Sequence, residues 1–165
     1  MTVMTSSMEI EILGFDSIYA DDFARLNYEW IDKYFQIEQH DRELLDHPYE
    51  QIIKSGGEIF FALSDRVAAG TAAMIGFDEE TFELSKMAVA PEFQGRGIAN
   101  MLMDACIQFA VTRGVSKIFL ETNSKLAAAP ALYRKYGFKD TPLDANSLYS
   151  RANIRMELAI SSGDM

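Results

Sequence analysis

The segment Gln94-Gly95-Arg96-Gly97-Ile98-Ala99 has the residue types and the spacing of a phosphate-binding loop. A strand is predicted just before it, and a long amphipathic helix is predicted just after it. Glycine lets the backbone approach a ligand closely, and the first amides of a helix point outward at the positive end of its dipole. Together these features form a cradle for phosphate. The sequence therefore predicts that a small molecule carrying a diphosphate binds here.

A second motif lies about 40 residues further along the chain. The first segment fits the pattern Gln/Arg-x-x-Gly-x-Gly/Ala, and residues 131–138 (Ala-Leu-Tyr-Arg-Lys-Tyr-Gly-Phe) fit Leu-Tyr-x-Lys-x-Gly-Phe. Both patterns, in this order, are signatures of the GCN5-related N-acetyltransferases (GNAT), and over roughly residues 80–140 the chain resembles that family. The resemblance implies an enzyme that moves an acetyl group from acetyl-CoA to a primary amine of a small molecule, peptide or protein. The transfer would be a direct attack in a ternary complex.

The resemblance also implies which residues hold the acetyl-CoA. Backbone groups of Met87, Ala88 and Val89, at the end of the central strand, would pair with the pantetheine arm and polarise the acetyl carbonyl. The amides of the glycine loop would bind the pyrophosphate. Asn123 matches a position that touches the pantetheine or the next helix, although it also fits a simple turn at a strand end. The implied donor-binding set is Met87, Ala88, Val89, Gln94, Gly95, Arg96, Gly97, Ile98, Ala99, Asn123 and Tyr133.

Three side chains are candidates for proton transfer. Tyr133 occupies the position of the family tyrosine that meets the CoA sulfur, and a phenol with a pKa near 10 is protonated at neutral pH. It also fits a packed aromatic on an amphipathic helix. Glu83 and Glu121 lie on two predicted strands, where a carboxylate is costly unless it is paired or functional. The general base is therefore Glu83, Glu121 or a water relay.

The acidic charge is concentrated in the first part of the chain. The net charge is −10, which disfavours nucleic acid and anionic membranes as partners. Residues 1–60 hold 13 acids and 4 bases, a net charge of −9. In the resembling family the first helices border the acceptor, so we hypothesise a cationic acceptor and candidate residues Glu29, Glu38 and Asp41. Ordinary solvated acidic helices would explain the same charge.

Hydrophobic periodicity predicts an α+β fold in three layers. We expect a GNAT-type mixed, largely antiparallel sheet of six or seven strands, with about four helices on both faces. Residues 1–165 are interpreted as one acyltransferase domain, with residues 1–7 as a frayed terminus. The predicted strands cover 9–15, 58–63, 67–77, 82–89, 117–121, a segment from 138, and 153–160, and the predicted helices cover 17–35, a short piece through 44–45, 48–54, 98–113 and 127–136.

Two other interpretations remain open at this point. A dinucleotide-binding oxidoreductase would also place glycines between a strand and a helix, but Asn100 replaces its third glycine, and a hairpin meander precedes the loop. A non-catalytic acyl-CoA sensor would keep the loop and lose the acid or the base.

Several expectations concern the cellular setting and the cofactors. Two histidines with no metal-ligand spacing indicate no metal site. The sequence has no apolar run of roughly 18 residues, no signal-peptide pattern, and a single cysteine, Cys106, so we expect a cytoplasmic protein. The resemblance allows a homodimer.

Overall fold

The computed structural model describes residues 9–126 and 128–160. The expected frayed segment 1–7 lies outside these residues. The described parts contain seven strands and four α-helices of at least eight residues, together with short helical turns at Ser17–Tyr19, Tyr49–Ile53 and Pro91–Phe93. The strands are β1 (Ile10–Leu13), β2 (Glu58–Ser64), β3 (Val67–Asp78), β4 (Thr81–Val89), β5 (Lys117–Thr122), β6 (Lys139–Thr141) and β7 (Ile154–Ala159), and the helices are α1 (Ala20–Tyr34), α2 (Gln39–Asp46), α3 (Ile98–Arg113) and α4 (Ala128–Lys135).

The strands form one mixed sheet in the order β1-β2-β3-β4-β5-β7-β6. All neighbouring strands are antiparallel except β4 and β5. These two are parallel and pair only from Thr81–Glu83 to Lys117–Phe119, so they part before the end of β4. The predicted α+β fold is confirmed. A doubly wound parallel sheet, which the dinucleotide-binding interpretation requires, is excluded by the antiparallel meander β1–β4.

Helices cover both faces of the sheet, and each face has its own core. On one face α1 and α2 bury Phe23, Ile31 and Leu45. On the other face α3 and α4 bury Leu102, Cys106 and Tyr133. Two apolar residues of the segment predicted as the first helix (17–35) are exposed, Ile18 by 72% and Tyr34 by 45%. Ile18 lies in a separate turn that Asp16 caps, because the α-helix begins only at Ala20.

A β-bulge interrupts β4 in its second half. Ser85 pairs with Ala73 and Ala88 pairs with Thr71, so two residues, Lys86 and Met87, lie opposite Ala72. Lys86 has a φ of +56°, a left-handed conformation that lysine seldom adopts. The buried side chains change sheet faces across this point: Phe82 and Leu84 pack on the α3 side, whereas Ala88, and Ala90 just after the strand, pack on the α1 side. The bulge thus changes the direction of the strand where it parts from β5.

The glycine loop connects β4 to α3. Gly97 caps α3 with a φ of +80°, and the helix ends at Gly114, as the sequence predicted. The start of α3 lies tightly against β3 because Gly70 has no side chain. A Cβ there would be 3.0 Å from Ile98 Cγ2 and 3.2 Å from Leu102 Cδ1. The close packing fixes the N-terminus of α3, and hence the loop, relative to the sheet.

None of the helices in the described part of the chain combines the length and the apolar character that crossing a bilayer requires.

Candidate active site

A cavity of about 390 Å³ opens where β4 and β5 part. Both strands line it, together with α4, the end of α1 and residues around Arg151. Antiparallel and parallel strands that remain paired leave no such opening, so the early end of the β4–β5 pairing creates the site. The cavity brings together eight of the residues predicted from the sequence, namely Glu83, Met87, Ala88, Val89, Gln94, Glu121, Asn123 and Tyr133.

The rest of the predicted phosphate loop lies next to the cavity and is exposed. Gly95 and Gly97 have φ values of +78° and +80°, and a Cβ added to either would meet nothing within 4 Å. Gln94 Nε2 donates a hydrogen bond of 3.2 Å to the carbonyl of Val89, which ties the start of the loop to the end of β4. Open space above the first turn of α3 suits a bound phosphate group. Ile98 is buried and anchors the helix instead.

Tyr133 projects from α4 into the wall of the cavity. Its ring lies 5.9 Å from the ring of Phe138, centroid to centroid, and the residue is 9% exposed. Burial raises the pKa of its hydroxyl to about 12, and the nearby Cys106 adds to this effect. The side chain is therefore both a packed aromatic and a phenol that stays protonated at neutral pH.

Glu83 and Glu121 line the cavity from β4 and β5. Burial, with the charge of Glu121 as a second cause, raises the pKa of Glu83 to about 7, against the opposing charges of Lys86 and Arg155. The Glu121 carboxylate accepts a hydrogen bond of 2.6 Å from Ser147 Oγ. A carboxylate with a pKa near 7 can take up and release a proton at neutral pH, which is what a general base requires.

Asn123 organises the end of β5. Its Nδ2 donates to the carbonyl of Arg151 at 2.6 Å, and its Oδ1 accepts from the amide of Lys125 at 2.8 Å. Both ends of the side-chain amide are therefore engaged within the protein. This geometry matches the strand-end turn that the sequence left as one alternative, and its contact with the pantetheine stays a prediction.

The acidic residues predicted to meet the acceptor lie outside the cavity lining. Glu29 is exposed on α1. Glu38 accepts hydrogen bonds from the amide and the hydroxyl of Ser150 and from Arg151. Asp41 is fully buried on α2, where ion pairs with Lys86 and Arg151 neutralise its charge. The expectation that Asp41 faces a cationic acceptor is thus corrected, whereas Glu29 and Glu38 stay predictions.

The partners of Asp41 form a buried polar cluster, which we call the Lys86 cluster and which consists of Lys86, Asp41, Tyr149 and Arg151. Arg151 donates to both Asp41 oxygens, from Nη1 at 2.8 Å and from Nη2 at 2.6 Å. Lys86 Nζ donates to Asp41 Oδ1 at 2.7 Å. Burial works to raise the pKa of Asp41, but the hydrogen bonds and charges of Arg151 and Lys86 outweigh it and hold that pKa well below its usual range.

This cluster was not predicted from the sequence. One signal was available, because Lys86 follows Phe82 and Leu84 at the inward positions of the alternating strand, where a lysine is unexpected. Tyr149 and Arg151 gave no signal, since they lie in an irregular segment whose path depends on the tertiary fold.

The Asp41→Asn variant is expected to be strongly destabilised. The substitution leaves Lys86 and Arg151 buried without their shared carboxylate, and breaking a buried pair costs about 3–5 kcal/mol of the free energy of unfolding. Because the pKa of Asp41 is depressed, its stabilisation is present above the pKa of the unfolded chain and is lost as the pH falls. Denaturant unfolding should show a smaller difference in stability between the wild type and the variant at pH 3 than at pH 7, because part of this stabilisation is already lost at pH 3. Asp46→Asn, an exposed carboxylate on the same helix, is the control and should change stability by less than about 1 kcal/mol. Equal losses for both variants would contradict the prediction.

Within residues 9–126 and 128–160, no three or more His, Cys, Asp and Glu side chains are grouped so that they could hold a metal ion.

A splayed mixed sheet, a glycine loop at a helix N-terminus, and one cavity lined by a tyrosine and two glutamates are typical of the class of acyl-CoA-dependent acyltransferases. The family model for the acetyltransferase (GNAT) family matches residues 23–138. The chain belongs to this family, as the two sequence motifs indicated.

Three comparisons describe the relatives. The chain is similar to the [ribosomal protein bS18]-alanine N-acetyltransferase of Salmonella typhimurium, with 40% identity over 82 residues, which are 50% of this chain and 54% of that protein. It is 30% identical to the Escherichia coli K12 protein of the same name over 143 residues, 87% of this chain and 86% of the relative. The fold is similar to that of the PaiA N-acetyltransferase of Thermoplasma acidophilum, solved in complex with coenzyme A, with a TM-score of 0.71 and 18% identity over 92% of this chain and 99% of that one. The match to the Salmonella protein thus spans about half of that relative's length.

Proposed function

We propose that the protein is an N-acetyltransferase that moves the acetyl group of acetyl-CoA directly to a primary amine in a ternary complex. The observation that carries this proposal is that Tyr133, Glu83 and Glu121 line one cavity, between β4 and β5 and beside the exposed glycine loop. Family membership supports acetyl-CoA as the donor.

The donor would be held mainly by backbone groups. The amides at the start of α3 would bind the pyrophosphate, since Gly95 and Gly97 leave the backbone uncovered. Met87, in the bulge, and Ala88 and Val89, just after it, line the cavity where β4 no longer pairs with β5. Their backbone groups would bind the pantetheine arm and polarise the acetyl carbonyl.

The reaction needs a base for the amine and an acid for the thiolate. Glu83, Glu121 or a water between them would take the proton of the ammonium group, and the free amine would attack the thioester carbonyl. As the new C–N bond forms, the attacking nitrogen would lose its second proton to the water and carboxylates of the site, the C–S bond would break, and Tyr133 would donate its proton to the leaving thiolate. The tyrosinate would then recover a proton from solvent or from the relay to the glutamates.

The acceptor is proposed to be a primary amine, and the N-terminus of a peptide is the first candidate. The relatives named above act on the alanine of a ribosomal protein, which supports a peptide with an N-terminal alanine as the first substrate to test. Glu83 and Glu121 line the cavity, and a carboxylate can accept a charge-assisted hydrogen bond from a protonated amine.

A calorimetric titration with acetyl-CoA, with NADH as the control ligand, tests the donor. Micromolar binding of acetyl-CoA alone is the expected result. An assay of free CoA release with an N-terminal alanine peptide, a lysine peptide whose N-terminus is blocked, and spermidine then tests the acceptor. Binding without turnover for every amine would favour the acyl-CoA sensor, and binding of neither ligand would refute the proposed donor site.

The glycine loop provides a sharper test of the donor site. Gly97→Ala is expected to weaken acetyl-CoA binding by at least about tenfold, or about 1.4 kcal/mol, because a side chain forces the backbone out of its left-handed conformation. Gly114→Ala is a matched control at the other end of α3, where φ is +72° and a Cβ also meets nothing within 4 Å. Both variants should lose similar stability, but only Gly97→Ala should change the Kd for acetyl-CoA. Equal Kd values would contradict the assignment of the loop.

A further inference from the structure

Lys86 combines two features that are unusual for a lysine in a strand. Its side chain is only 2% exposed, and its backbone φ is +56°. Burial of an ammonium group is unfavourable unless it is paired, and a left-handed conformation is unfavourable for a residue with a Cβ. Lys86 combines a buried ammonium group with a left-handed backbone, which indicates that the surrounding structure holds this residue in place.

The Lys86 ammonium group connects three elements of the fold. Its Nζ donates to Asp41 Oδ1 of α2 at 2.7 Å and to the Tyr149 hydroxyl at 2.9 Å, and it lies 4.4 Å from the centroid of the Tyr149 ring. Tyr149 belongs to the segment between β6 and β7. These contacts of Lys86 Nζ, which we call the Lys86 anchor, therefore join the bulge of β4 to α2 and to this segment.

The same two elements are also joined to each other. Arg151 forms a two-pronged ion pair with Asp41, and its guanidinium carbon lies 4.4 Å from the centroid of the Tyr149 ring. The Asp41 carboxylate also accepts the amide of Glu38 at 2.8 Å, at the start of α2. The Lys86 cluster is thus a closed set of contacts, and Lys86 is its connection to the sheet.

We propose that Lys86 is a positioning residue for acetyl transfer, an inference that rests on the proposed function. The buried anchor holds the bulge in its left-handed conformation, and the bulge sets the path of the next residues, Met87 and Ala88, along the cavity. The backbone that would polarise the acetyl carbonyl is therefore positioned by a side chain whose partners lie on α2 and in the segment between β6 and β7.

The contacts of Lys86 also hold part of the cavity wall. Tyr149 and Arg151 line the cavity, and so do Trp30, Tyr34 and Phe35 at the end of α1, close to α2. The guanidinium carbon of Arg151 lies 6.0 Å from the centroid of the Trp30 ring and 5.9 Å from the centroid of the Phe35 ring. Loss of the Lys86 anchor should thus disturb the backbone of Met87 and Ala88, where the acetyl carbonyl would bind. It should also disturb the cavity wall formed by Tyr149 and Arg151, where the acceptor would bind, and leave the pyrophosphate loop intact.

Two substitutions separate the anchor from the backbone conformation. Lys86→Met keeps a long, unbranched side chain and removes the ammonium group, while Asp41 remains paired with Arg151. We expect kcat to fall at least about tenfold and the acceptor KM to rise, with the Kd for acetyl-CoA within about twofold of the wild type. Lys86→Gly also removes the anchor, but glycine adopts positive φ readily. It should recover much of kcat while the acceptor KM stays raised.

A merely structural role would give a different pattern. Met103→Ala, a cavity in the fully buried α3 core, is the control: it should lower the melting temperature and leave kcat and the acceptor KM unchanged well below that temperature. Unchanged kcat in Lys86→Met, or a loss in Lys86→Gly as large as in Lys86→Met, would overturn the proposal that the anchor sets the bulge.

Amide hydrogen exchange gives a readout that does not depend on activity. In Lys86→Met, peptides covering residues 39–46 and 147–153 should exchange faster than in the wild type, whereas peptides of α3 should not change. Unchanged exchange at both places would overturn the anchor itself. If the wild type binds acetyl-CoA and acetylates none of the three amine probes, the proposed function fails, and the exchange result alone decides whether Lys86 holds the two elements.

Discussion

The Tyr133→Phe variant is expected to lose about 10²–10⁴-fold in kcat and to bind acetyl-CoA as tightly as the wild type. The ring contributes to the packing around Phe138, and phenylalanine preserves this contact. Only the hydroxyl is removed, and its pKa of about 12 keeps it protonated over the whole assay range. The leaving thiolate would then have to take its proton from water.

Tyr136→Phe is the matched control for this prediction. The Tyr136 hydroxyl donates to the carbonyl of Asn100 at 3.1 Å, so it joins the region after α4 to α3, and it lies outside the cavity lining. Its removal should cost a modest amount of stability and leave kcat unchanged. Steady-state rates with saturating acetyl-CoA and calorimetric binding measure both effects. A kcat of Tyr133→Phe equal to that of Tyr136→Phe would show that the hydroxyl of Tyr133 does not donate the proton.

Local patterns predicted the elements of this fold well because each has its own start and stop signals. The helix 98–113 begins after Gly97 and ends at Gly114, and the structure gives it these same bounds. The β3–β4 hairpin and the paired motifs that identify the family also depend only on nearby residues. These signals located the glycine loop, Tyr133 and both glutamates, and the structure places the loop beside one cavity that contains the other three.

The pairing of charged residues could not be predicted in the same way. Asp41 was interpreted as an acceptor residue because it lies in an acidic stretch, yet its carboxylate meets Lys86 and Arg151, which are 45 and 110 residues away in sequence. Contacts of this kind depend on the packing of α2 against the sheet and on an irregular segment with no periodicity. The bulge at Lys86 was missed for a related reason, since an alternating pattern does not show where a strand carries an extra residue.

The second large effect concerns the pH dependence of catalysis. If Glu83 is the base, it works deprotonated, and with a pKa of about 7 only about 1% of it is deprotonated at pH 5. The wild-type kcat should therefore rise about tenfold per pH unit from pH 5 to about pH 7 and then level off. Glu83→Gln should lose about 10²-fold or more at pH 8 and should lose this rise as well.

The raised pKa of Glu83 should also make the stability of the protein depend on pH. Because the folded state raises the pKa of Glu83 above its ordinary value of 4.5, its contribution to stability is fully present below pH 4.5 and is lost as the pH rises through about 7. Glu83→Gln should therefore gain up to about 3 kcal/mol over the wild type at pH 8 and little at pH 4.5. Denaturant unfolding measures this difference without any substrate, so it tests the pKa independently of the role.

Glu121→Gln distinguishes the two carboxylates. The charge of Glu121 helps to raise the pKa of Glu83, so its removal should shift the rise in kcat to lower pH and keep the rise itself if Glu83 is the base. If Glu121 is the base, Glu121→Gln should lose most of kcat at pH 8, and Glu83→Gln should retain it. A water relay without a single base would leave both variants with only a moderate loss of kcat at pH 8, because the remaining carboxylate could still receive the proton.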